Sequence, residues 1–339
     1  MTKKVLLTGA GGAIGVHTLA HIMHNTDANV VAIGTFRNKG YYDRITRICQ
    51  DHPDWVDRIE IMIHDLKVPF STRQVDSLKD VDYVINLASL SDVYDSIENP
   101  VPFIRNNVDI TLNMLELARE IKPKTFIQFS TDEVYGSCAV DSSGHKEWDT
   151  ILPSNPYAAS KAAQEAIAIA YWRSYGVPVI ITNTMNNFAE MQGASKYTAM
   201  IQKKLTEGEK VTVHAAGDGQ IGTRYYIHSR NASDAILHIL NHLPATLHQA
   251  GEIDRPDRYN VVGDKQVSNL ELAQIIADLM GKELDYELVD FHSEQPGHDL
   301  HYGLDDAKLK AAGWVSPSSF EDSLKKTIEW QIQNPEWMK

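Results

Sequence analysis

Short apolar runs alternate with amphipathic stretches through the first 185 residues of the chain. The apolar runs that predict strands are 5–7, 30–33, 59–63, 81–87, 126–129 and 177–181. The amphipathic stretches that predict helices are 13–24, 101–121 and 157–175. Strands separated by helices form βαβ units, whose parallel sheet is covered by helices on both faces. The pattern therefore predicts an α/β fold built on a doubly wound parallel sheet.

The alternation weakens after Thr184, where residues 186–224 are rich in glycine, lysine and polar residues. Further strand and helix patterns follow at 225–228, 231–243, 259–262, 268–280, 284–289 and 319–333. The patterns at 225–228 and 231–243 resemble the sheet domain again, whereas those from residue 259 onward predict a smaller C-terminal lobe.

Composition and charge exclude several classes of protein. The 339 residues carry a formal net charge of -13, whereas a sequence-independent nucleic-acid binder needs a basic surface. Cys49 and Cys138 are too few for a disulfide framework and lack metal-knuckle spacing. No apolar run approaches the roughly 20 residues of a membrane span, and the basic start leads into a short strand rather than a signal peptide. We expect a cytoplasmic protein that binds neither nucleic acid nor membranes.

The first predicted strand ends in a glycine-rich loop that opens the first helix. Glycines at 9, 12 and 15 give the pattern GxxGxxG, in which glycine permits a tight turn and lets backbone N–H groups approach a pyrophosphate. With Ala13 and Ile14, these residues predict a dinucleotide site at the start of a Rossmann-type domain. We assign residues 1–185 and 225–245 to this domain, and 186–224 and 246–339 to a smaller C-terminal α/β substrate-binding lobe.

The cofactor is predicted to be NAD(P), with NADP favoured. The second strand ends at Gly34, where a carboxylate would bind the ribose 2′-hydroxyl of NAD. Arg37 and Lys39 follow instead, and an arginine suits a 2′-phosphate, although a merely solvated Arg37 is the alternative. The loops after the next two strands supply further candidates for cofactor contact, or are ordinary loops: Asp65, Leu66, Leu87, Ala88 and Ser89.

Two further motifs carry candidate chemistry. Tyr157 and Lys161 are four residues apart, so both side chains lie on one face of the predicted helix. A nearby ammonium would lower the pKa of the phenol and make it a usable base. Asp132 and Glu133 follow a buried strand directly, and two adjacent, partly desolvated carboxyl groups separate their proton affinities.

Taken together, the motifs GxxGxxG, STDEVYG at 130–136 and YAASK at 157–161 resemble the extended short-chain dehydrogenase/reductase family. Within it, the nucleotide-sugar 4,6-dehydratases are the most similar members, and the resemblance covers nearly the whole chain. It continues through Asn186 and Asn187, Arg224 and the stretch PGHD that contains His298.

The resemblance implies an NAD(P)-dependent hydro-lyase acting on a nucleotide-diphosphate sugar. The residues that it makes catalytic are Thr131, Asp132, Glu133, Tyr157 and Lys161. Thr131 and Tyr157 would hold the C4 hydroxyl, Tyr157 would take its proton, and hydride would pass to the nicotinamide, whose ribose Lys161 holds. Glu133 would then remove the C5 proton and Asp132 would protonate the departing C6 hydroxyl, before hydride returns to C6. A 4-epimerase needs no such acid pair.

Several substrate-side positions depart from the family pattern. Phe188, Ala189 and Glu190 replace the expected Tyr-Gly-Pro, Gln295 replaces an arginine, and the segment before Arg224 is longer than usual. The nucleotide base and the sugar therefore stay open. Arg224 is the candidate clamp for the substrate diphosphate, and the other candidates for substrate contact are Asn186, Asn187, Lys196 and His298.

Three alternatives remain open at this point: a 4-epimerase, a 5,6-dehydratase and a catalytically silent NADP-binding sensor. His17, His21 and His24 share one face of the first helix, but the hydride chemistry needs no metal, so we predict no metal site. The resemblance implies a homodimer formed through the helices at 101–121 and 157–175.

Overall fold

The structure is a computed structural model that describes residues 2–38, 40–139, 142–290 and 297–338. Lys39 and Gln295, which the sequence analysis singled out, lie outside the described residues, as does Pro296. The strands are β1 Lys4–Thr8, β2 Asn29–Gly34, β3 Ile59–Ile63, β4 Tyr83–Asn86, β5 Thr125–Thr131, β6 Val179–Thr184, β7 Asn187–Phe188, β8 Val211–Ala215, β9 Thr223–Tyr225, β10 Ile227–His228, β11 Asp257–Val261, β12 Gln266–Ser268 and β13 Tyr286–Asp290.

Helices cover both faces of the sheet and connect most of its strands. They are α1 Ala13–Asn25, α2 Tyr41–Asp51, α3 Thr72–Ser77, α4 Val93–Glu98, α5 Pro100–Ile121, α6 Pro156–Tyr175, α7 Tyr197–Glu207, α8 Ser229–His242, α9 Asn269–Leu279, α10 Ala307–Ala311 and α11 Phe320–Gln333. Short 3-10 helices occupy Pro53–Arg58, Asp132–Tyr135 and Pro335–Met338. None of the helices in the described ranges is long and apolar enough to cross a membrane.

Seven parallel strands form the central sheet, in the order β11-β6-β5-β4-β1-β2-β3. The chain runs outward from β1 to β3 and then returns to β4 on the other side of β1. The strand order thus reverses between β1 and β4, which is where Rossmann-type folds bind ligands, beyond the carboxyl ends of the strands. The predicted doubly wound fold is confirmed.

The remaining strands form three two-stranded pairs: β10 with β7, β12 with β9, and β13 with β8. β11 lies in the central sheet beside β6, although the predicted division gives its residues to the substrate lobe. The chain returns to the sheet because the buried edge of β6 accepts another strand. The division into two domains remains a prediction.

Three hydrophobic cores stabilise these layers. Because successive strand residues face opposite sides of a sheet, Leu7 packs into the core on one face and Leu6 into the core on the other, and both are fully buried. A third core joins residues of the C-terminal half, including Phe188, Ile201 and Leu324. The two cores of the central sheet hold the strand ends, and hence the loops that follow them, in fixed positions.

Helix α6 begins and ends at residues suited to those positions. The Asn155 side chain caps its start by accepting a hydrogen bond from the Ala158 N–H at 2.8 Å, and Pro156 occupies the first turn. Gly176 ends the helix with φ +67°, a left-handed conformation that favours glycine. α6 packs along α5 and contacts the 3-10 turn Asp132–Tyr135, which follows β5.

Candidate active site

The glycine loop fits closely against the loop that follows β4. Gly9 has φ +69°, and a Cβ added there would lie 3.0 Å from the Ala88 nitrogen. A Cβ on Gly15 would lie 2.0 Å from the Gly9 carbonyl oxygen. Neither position has room for a side chain, so the backbone forms a tight cradle at the start of α1, as a dinucleotide pyrophosphate requires. The residues present therefore fit the predicted nicotinamide cofactor.

A buried hydrogen-bond chain joins the two loops of this cradle. The Thr8 hydroxyl donates to the Asn86 side chain at 2.8 Å and accepts from the Ala88 N–H at 2.9 Å. Leu87, Ala88 and Ser89 thus lie beside the glycine loop. Gly12, the cap residue of α1, makes no side-chain hydrogen bond. The N–H groups of Ala13 and Ile14 in the first turn therefore have no side-chain acceptor from the cap residue.

The structure separates the other predicted cofactor residues. Arg37 is exposed beyond the end of β2. Asp65 follows β3 and accepts a hydrogen bond from the Lys67 N–H at 3.1 Å, while the Leu66 carbonyl accepts one from Asn113 at 2.9 Å. These loops follow neighbouring strands, but the described contacts do not join Arg37 to either residue.

Sequence reasoning missed Arg44, which braces the glycine loop from α2. Its guanidinium donates to the Gly11 carbonyl at 3.0 Å and to the Met191 carbonyl at 2.9 Å. Arg44 thereby links the cradle to the loop after β7. No local pattern marks this residue, because both of its partners are remote in sequence.

The acid pair lies in the 3-10 turn Asp132–Tyr135, directly after β5. Asp132 and Glu133 are buried, with 3 % and 9 % of their surfaces exposed. Thr131 donates to Asp132 Oδ1 at 2.8 Å. Glu133 Oε2 accepts from the Asn155 side chain at 3.1 Å. Both acids therefore receive hydrogen bonds from neutral groups.

Burial raises the pKa of both carboxyl groups, to about 6 for Asp132 and about 7 for Glu133. The charge of Asp132 adds to the raised pKa of Glu133, whereas Arg224 lowers both values and Lys196 lowers that of Glu133. Near neutral pH the pair holds a proton that exposed carboxyls would lose.

Tyr157 and Lys161 lie buried in α6, close to the acid pair. The pKa of Tyr157 is raised, whereas its spacing to Lys161 led us to expect a lowered pKa. Burial and the charge of Glu133 raise it, and only the hydrogen bond with Thr131 opposes them. The Lys161 amino group donates to the Phe129 carbonyl at 2.7 Å. Burial also lowers the pKa of Lys161 to about 7.

A fully buried ion pair supports the site from behind. Arg258, on β11, donates to Glu165 Oε2 at 2.8 Å and to the Tyr135 hydroxyl at 3.1 Å. Asn183 donates to the other oxygen of Glu165 at 2.7 Å and to the Thr131 carbonyl at 3.0 Å. The network ties the acid-bearing turn to α6, and the sequence analysis identified neither Arg258 nor Glu165.

Asn155 is a third residue that sequence reasoning missed. Besides capping α6, it donates to Glu133 Oε2 and to the Gly297 carbonyl, both at 3.1 Å. An asparagine before Pro-Tyr is a signal for a helix cap. It gives no signal for a contact with the acid pair.

Among the predicted substrate residues, Arg224 is the one whose charge acts on both acids. Its guanidinium donates to the carbonyls of Asp299, at 2.6 Å, and Leu300, and lies 4.4 Å from the centre of the Tyr302 ring. Lys196 bonds the Ser91 carbonyl at 3.2 Å and the Asp92 carboxylate at 3.3 Å.

The other three predicted substrate residues occupy two places: Asn186 and Asn187 lie at the start of β7, and His298 lies in the loop before Leu300. The side-chain oxygens of Asn186 and Asn187 are buried without a hydrogen-bond partner among the described residues. His298 packs edge-on to His214, with 6.3 Å between ring centres. The structure thus leaves polar atoms of Asn186 and Asn187 available to a ligand.

The three histidines of α1 turn to separate partners. His17 lies beside Glu190, with its Nε2 3.5 Å from the carboxylate; His21 bonds Asp234 at 3.1 Å; and the His24 ring packs against Trp55. Across the described parts of the chain, no group of three or more histidine, cysteine or acidic side chains could hold a metal ion.

Comparison with known proteins gives one consistent result. The family model described as GDP-mannose 4,6 dehydratase matches residues 6–327. The dTDP-glucose 4,6-dehydratase of Salmonella typhimurium is 31% identical over 99% of this chain and 94% of its own length. The low-salt glycan biosynthesis protein Agl12 of Haloferax volcanii is 31% identical over 98% of this chain and 99% of its own.

A solved structure agrees with these relatives. The dTDP-glucose 4,6-dehydratase DesIV of Streptomyces venezuelae, crystallised with NAD, superposes with a TM-score of 0.83 at 27% identity, covering 99% of both chains. The predicted resemblance and the predicted enzyme class are confirmed. The chain belongs to the GDP-mannose 4,6-dehydratase family of extended short-chain dehydrogenases/reductases, whose members include the nucleotide-sugar 4,6-dehydratases.

Proposed function

We propose that this protein removes water across C5 and C6 of a nucleotide-diphosphate hexose and releases a 4-keto-6-deoxy sugar nucleotide. The observation that carries the proposal is the buried pair of adjacent acids beside Tyr157. Elimination needs a base at C5 and an acid at the neighbouring C6 oxygen, whereas epimerisation at C4 needs neither.

The oxidising step uses Thr131 and Tyr157. Both side chains bind the C4 hydroxyl, and Tyr157 takes its proton. A bound nicotinamide cofactor would supply the hydride acceptor for C4 and the hydride donor for C6. Lys161, which now donates to the Phe129 carbonyl, binds the nicotinamide ribose. The cradle of Gly9, Gly12, Ala13, Ile14 and Gly15 binds the pyrophosphate.

The elimination step uses the acid pair. The ketone at C4 acidifies the C5 proton, Glu133 removes that proton, and Asp132 protonates the leaving C6 hydroxyl. One acid must be ionised while the other is protonated. Burial raises the pKa of both acids, and more for Glu133 than for Asp132. The pair therefore keeps a proton near neutral pH, which lies on Glu133 in the free protein and must lie on Asp132 when elimination begins.

The substrate diphosphate binds to Arg224, with Asn186, Asn187, Lys196 and His298 as further contacts. Arg224 lies close enough to the acids to lower their pKa values, so an anion bound there lies beside the reacting carbons. The matching family model is described by GDP-mannose, and the names of relatives include dTDP-glucose and UDP-glucose enzymes. These three sugar nucleotides are therefore the candidate substrates.

The preferred cofactor is NADP. Arg37 is exposed beyond the end of β2, and the segment 35–38 contains no acid to repel a 2′-phosphate. Asp65, Leu66, Leu87, Ala88 and Ser89 complete the cofactor contacts. Affinity measured for NAD and NADP tests the preference, and Arg37→Ala should reduce the affinity for NADP alone. Tighter binding of NAD would contradict it.

We further propose a cytoplasmic homodimer in which α5 and α6 of two copies pack together. α5 exposes Val101, Ile104 and Leu112, an apolar set that a second copy would cover. Light scattering tests the mass in solution. A monomer at assay concentration would contradict the proposal.

Product analysis tests the proposed reaction. Incubation with dTDP-glucose, UDP-glucose or GDP-mannose in deuterated water should give a 4-keto-6-deoxy product that carries deuterium at C5, with no net change in cofactor absorbance. A product that keeps its C6 hydroxyl would indicate a 4-epimerase, and a 5,6-alkene would indicate a 5,6-dehydratase. Either product, or none, would overturn the proposal.

A further inference from the structure

The Asn155 amide makes three hydrogen bonds at the start of α6. Its oxygen accepts from the Ala158 N–H at 2.8 Å and thus caps the helix. Its nitrogen donates to Glu133 Oε2 and to the Gly297 carbonyl, at 3.1 Å each. Because the cap occupies the oxygen, the NH₂ group must point at the acid. The side chain is 5 % exposed, so water does not replace these bonds readily.

Glu133 receives no direct hydrogen bond from a cation in the described structure. The titratable and charged groups that act on it from neighbouring elements are Asp132, Tyr157, Lys196, Arg224 and Tyr302. Arg224 and Lys196 act over distance, because their own donors bind the backbone carbonyls or the side chain of other residues. Asn155 therefore supplies the direct hydrogen bond that Glu133 receives from another element.

The second N–H of Asn155 reaches the segment after residue 296. Gly297 has φ +118°, and a Cβ added there would lie 3.0 Å from the Ser154 carbonyl, so this segment packs directly on the start of α6. Ser154 donates to Asp299 at 2.6 Å, and Arg224 bonds the Asp299 carbonyl at 2.6 Å. One amide thus joins the acid pair to the loop that holds the candidate diphosphate clamp.

We infer that Asn155 is a positioning residue that holds Glu133 in the orientation needed to deprotonate C5 and couples it to the loop at 297–300. The inference rests on the proposed function for the role of Glu133. A donated N–H bond also favours the ionised carboxylate over the protonated one. Loss of the bond should therefore raise the pKa of Glu133, so that it becomes a base only at higher pH.

The Asn155→Ser variant separates the two roles, because serine caps helices about as well as asparagine but has no second polar atom for Glu133. We expect a kcat for dehydration reduced about 10- to 100-fold, an acidic limb of the kcat profile moved to higher pH, and a melting temperature between those of wild type and Asn155→Ala, because the buried acceptors lose a donor but the cap remains. Cofactor reduction in a single turnover, which reports C4 oxidation, should stay near the wild-type rate. Asn155→Ala, which loses the cap as well, should show the same pH profile and a lower melting temperature.

A wild-type kcat and an unmoved acidic limb in Asn155→Ser would overturn the inference. Equal losses in C4 oxidation and dehydration would also overturn it, because they would indicate a general distortion of α6. A titration of ¹³C-labelled Glu133 by NMR, on the protein with its cofactor, needs no turnover. A higher pKa of Glu133 in Asn155→Ser would support the contact even if no sugar nucleotide is dehydrated, and an unchanged pKa would contradict it.

Discussion

Glu165, within α6, and Glu133, in the turn beside it, are both buried glutamates, but they have different partners. Glu165 binds the guanidinium of Arg258 and the amide of Asn183. Glu133 receives a neutral amide hydrogen bond from Asn155 and lies next to a second acid, Asp132. Burial is common to both glutamates, so the hydrogen-bond partner makes the difference. A cation holds the charge of Glu165, whereas the neutral amide beside Glu133 leaves that acid able to exchange a proton, as we propose.

The arrangement separates support from chemistry within one small volume. Behind the site, Arg258 donates hydrogen bonds to the Tyr135 hydroxyl, the Glu147 carbonyl and the Glu165 carboxylate. In front, Asp132 Oδ2 is buried without a hydrogen-bond partner among the described residues. An unsatisfied buried oxygen is costly in the free protein, and a substrate hydroxyl at Asp132 would satisfy it.

The largest expected change in activity comes from replacing Glu133, the proposed base. Glu133→Gln should reduce dehydration about 10²- to 10⁴-fold, the usual contribution of a general base, while C4 oxidation continues. The folded pKa of Glu133 is raised, so ionisation costs stability as the pH rises from about 4.5 to about 7. The variant should therefore unfold at an equal or higher urea concentration at pH 7. Dehydration at an undiminished rate would exclude Glu133 as the base.

Replacing the partner of the structural glutamate should have the opposite effect. Arg258→Met leaves Glu165 buried and uncompensated, which should reduce the free energy of unfolding by about 3–5 kcal/mol. Arg119→Met removes an exposed arginine bound to Glu116 at 2.9 Å and should cost less than about 1 kcal/mol. Urea unfolding compares the two.

The double variant Arg258→Met/Glu165→Leu sharpens this test. It removes both charges, so it should be more stable than Arg258→Met alone. If Arg258→Met is no less stable than Arg119→Met, the buried pair is not a supporting element.

Glu190 is a third, largely buried acid, and its histidine neighbours make the stability of the protein depend on pH. Histidine partners lower the pKa of Glu190 to about 2, and burial lowers that of His17 to about 4. As the pH falls from about 6.5 to about 4, the unfolded chain binds a proton at His17 that the folded chain does not, so stability falls. Glu190 contributes a further loss between about 4.5 and about 2.

The His17→Gln variant tests the loss of stability between about pH 6.5 and about pH 4. The variant should lose less stability than wild type between pH 6.5 and pH 4, with a difference of up to about 3 kcal/mol by linkage. His24→Gln, which replaces an exposed histidine of the same helix, is the matched control. The same acid dependence in wild type and His17→Gln, measured by urea unfolding at each pH, would show that His17 does not set it.

The smallest expected effect concerns the substrate side. Lys196→Met removes a half-exposed contact with Asp92 and should change the free energy of unfolding by less than about 1 kcal/mol. If Lys196 also binds the substrate diphosphate, KM should rise about 2- to 10-fold. Lys203→Met removes the same charge from an exposed position on α7. Equal KM values for the two variants would remove Lys196 from the substrate site.

Local sequence was sufficient to single out the residues that we propose as catalytic. Tyr157 and Lys161 share a helix face by their spacing, and Asp132 and Glu133 follow a recognisable strand. The structure brings Asp132, Glu133 and Tyr157 together with Thr131, and Lys161 bonds the strand that leads to them. Substrate-side residues were harder to predict, because Arg224 on β9, Lys196 before α7 and His298 lie far apart in the chain and no periodic pattern aligns them.

The sequence by itself determined the order of the elements, the glycine cradle and the identity of the acid pair, because each depends on residues close together in the chain. Tertiary structure alone decided that β11 joins the central sheet and that Arg258 neutralises Glu165 from 93 positions away. It also decided the charge state of the site. A pKa depends on what desolvates a group and which charges reach it, so the raised pKa of Tyr157, contrary to the expectation from its spacing to Lys161, could be read only from the packed site.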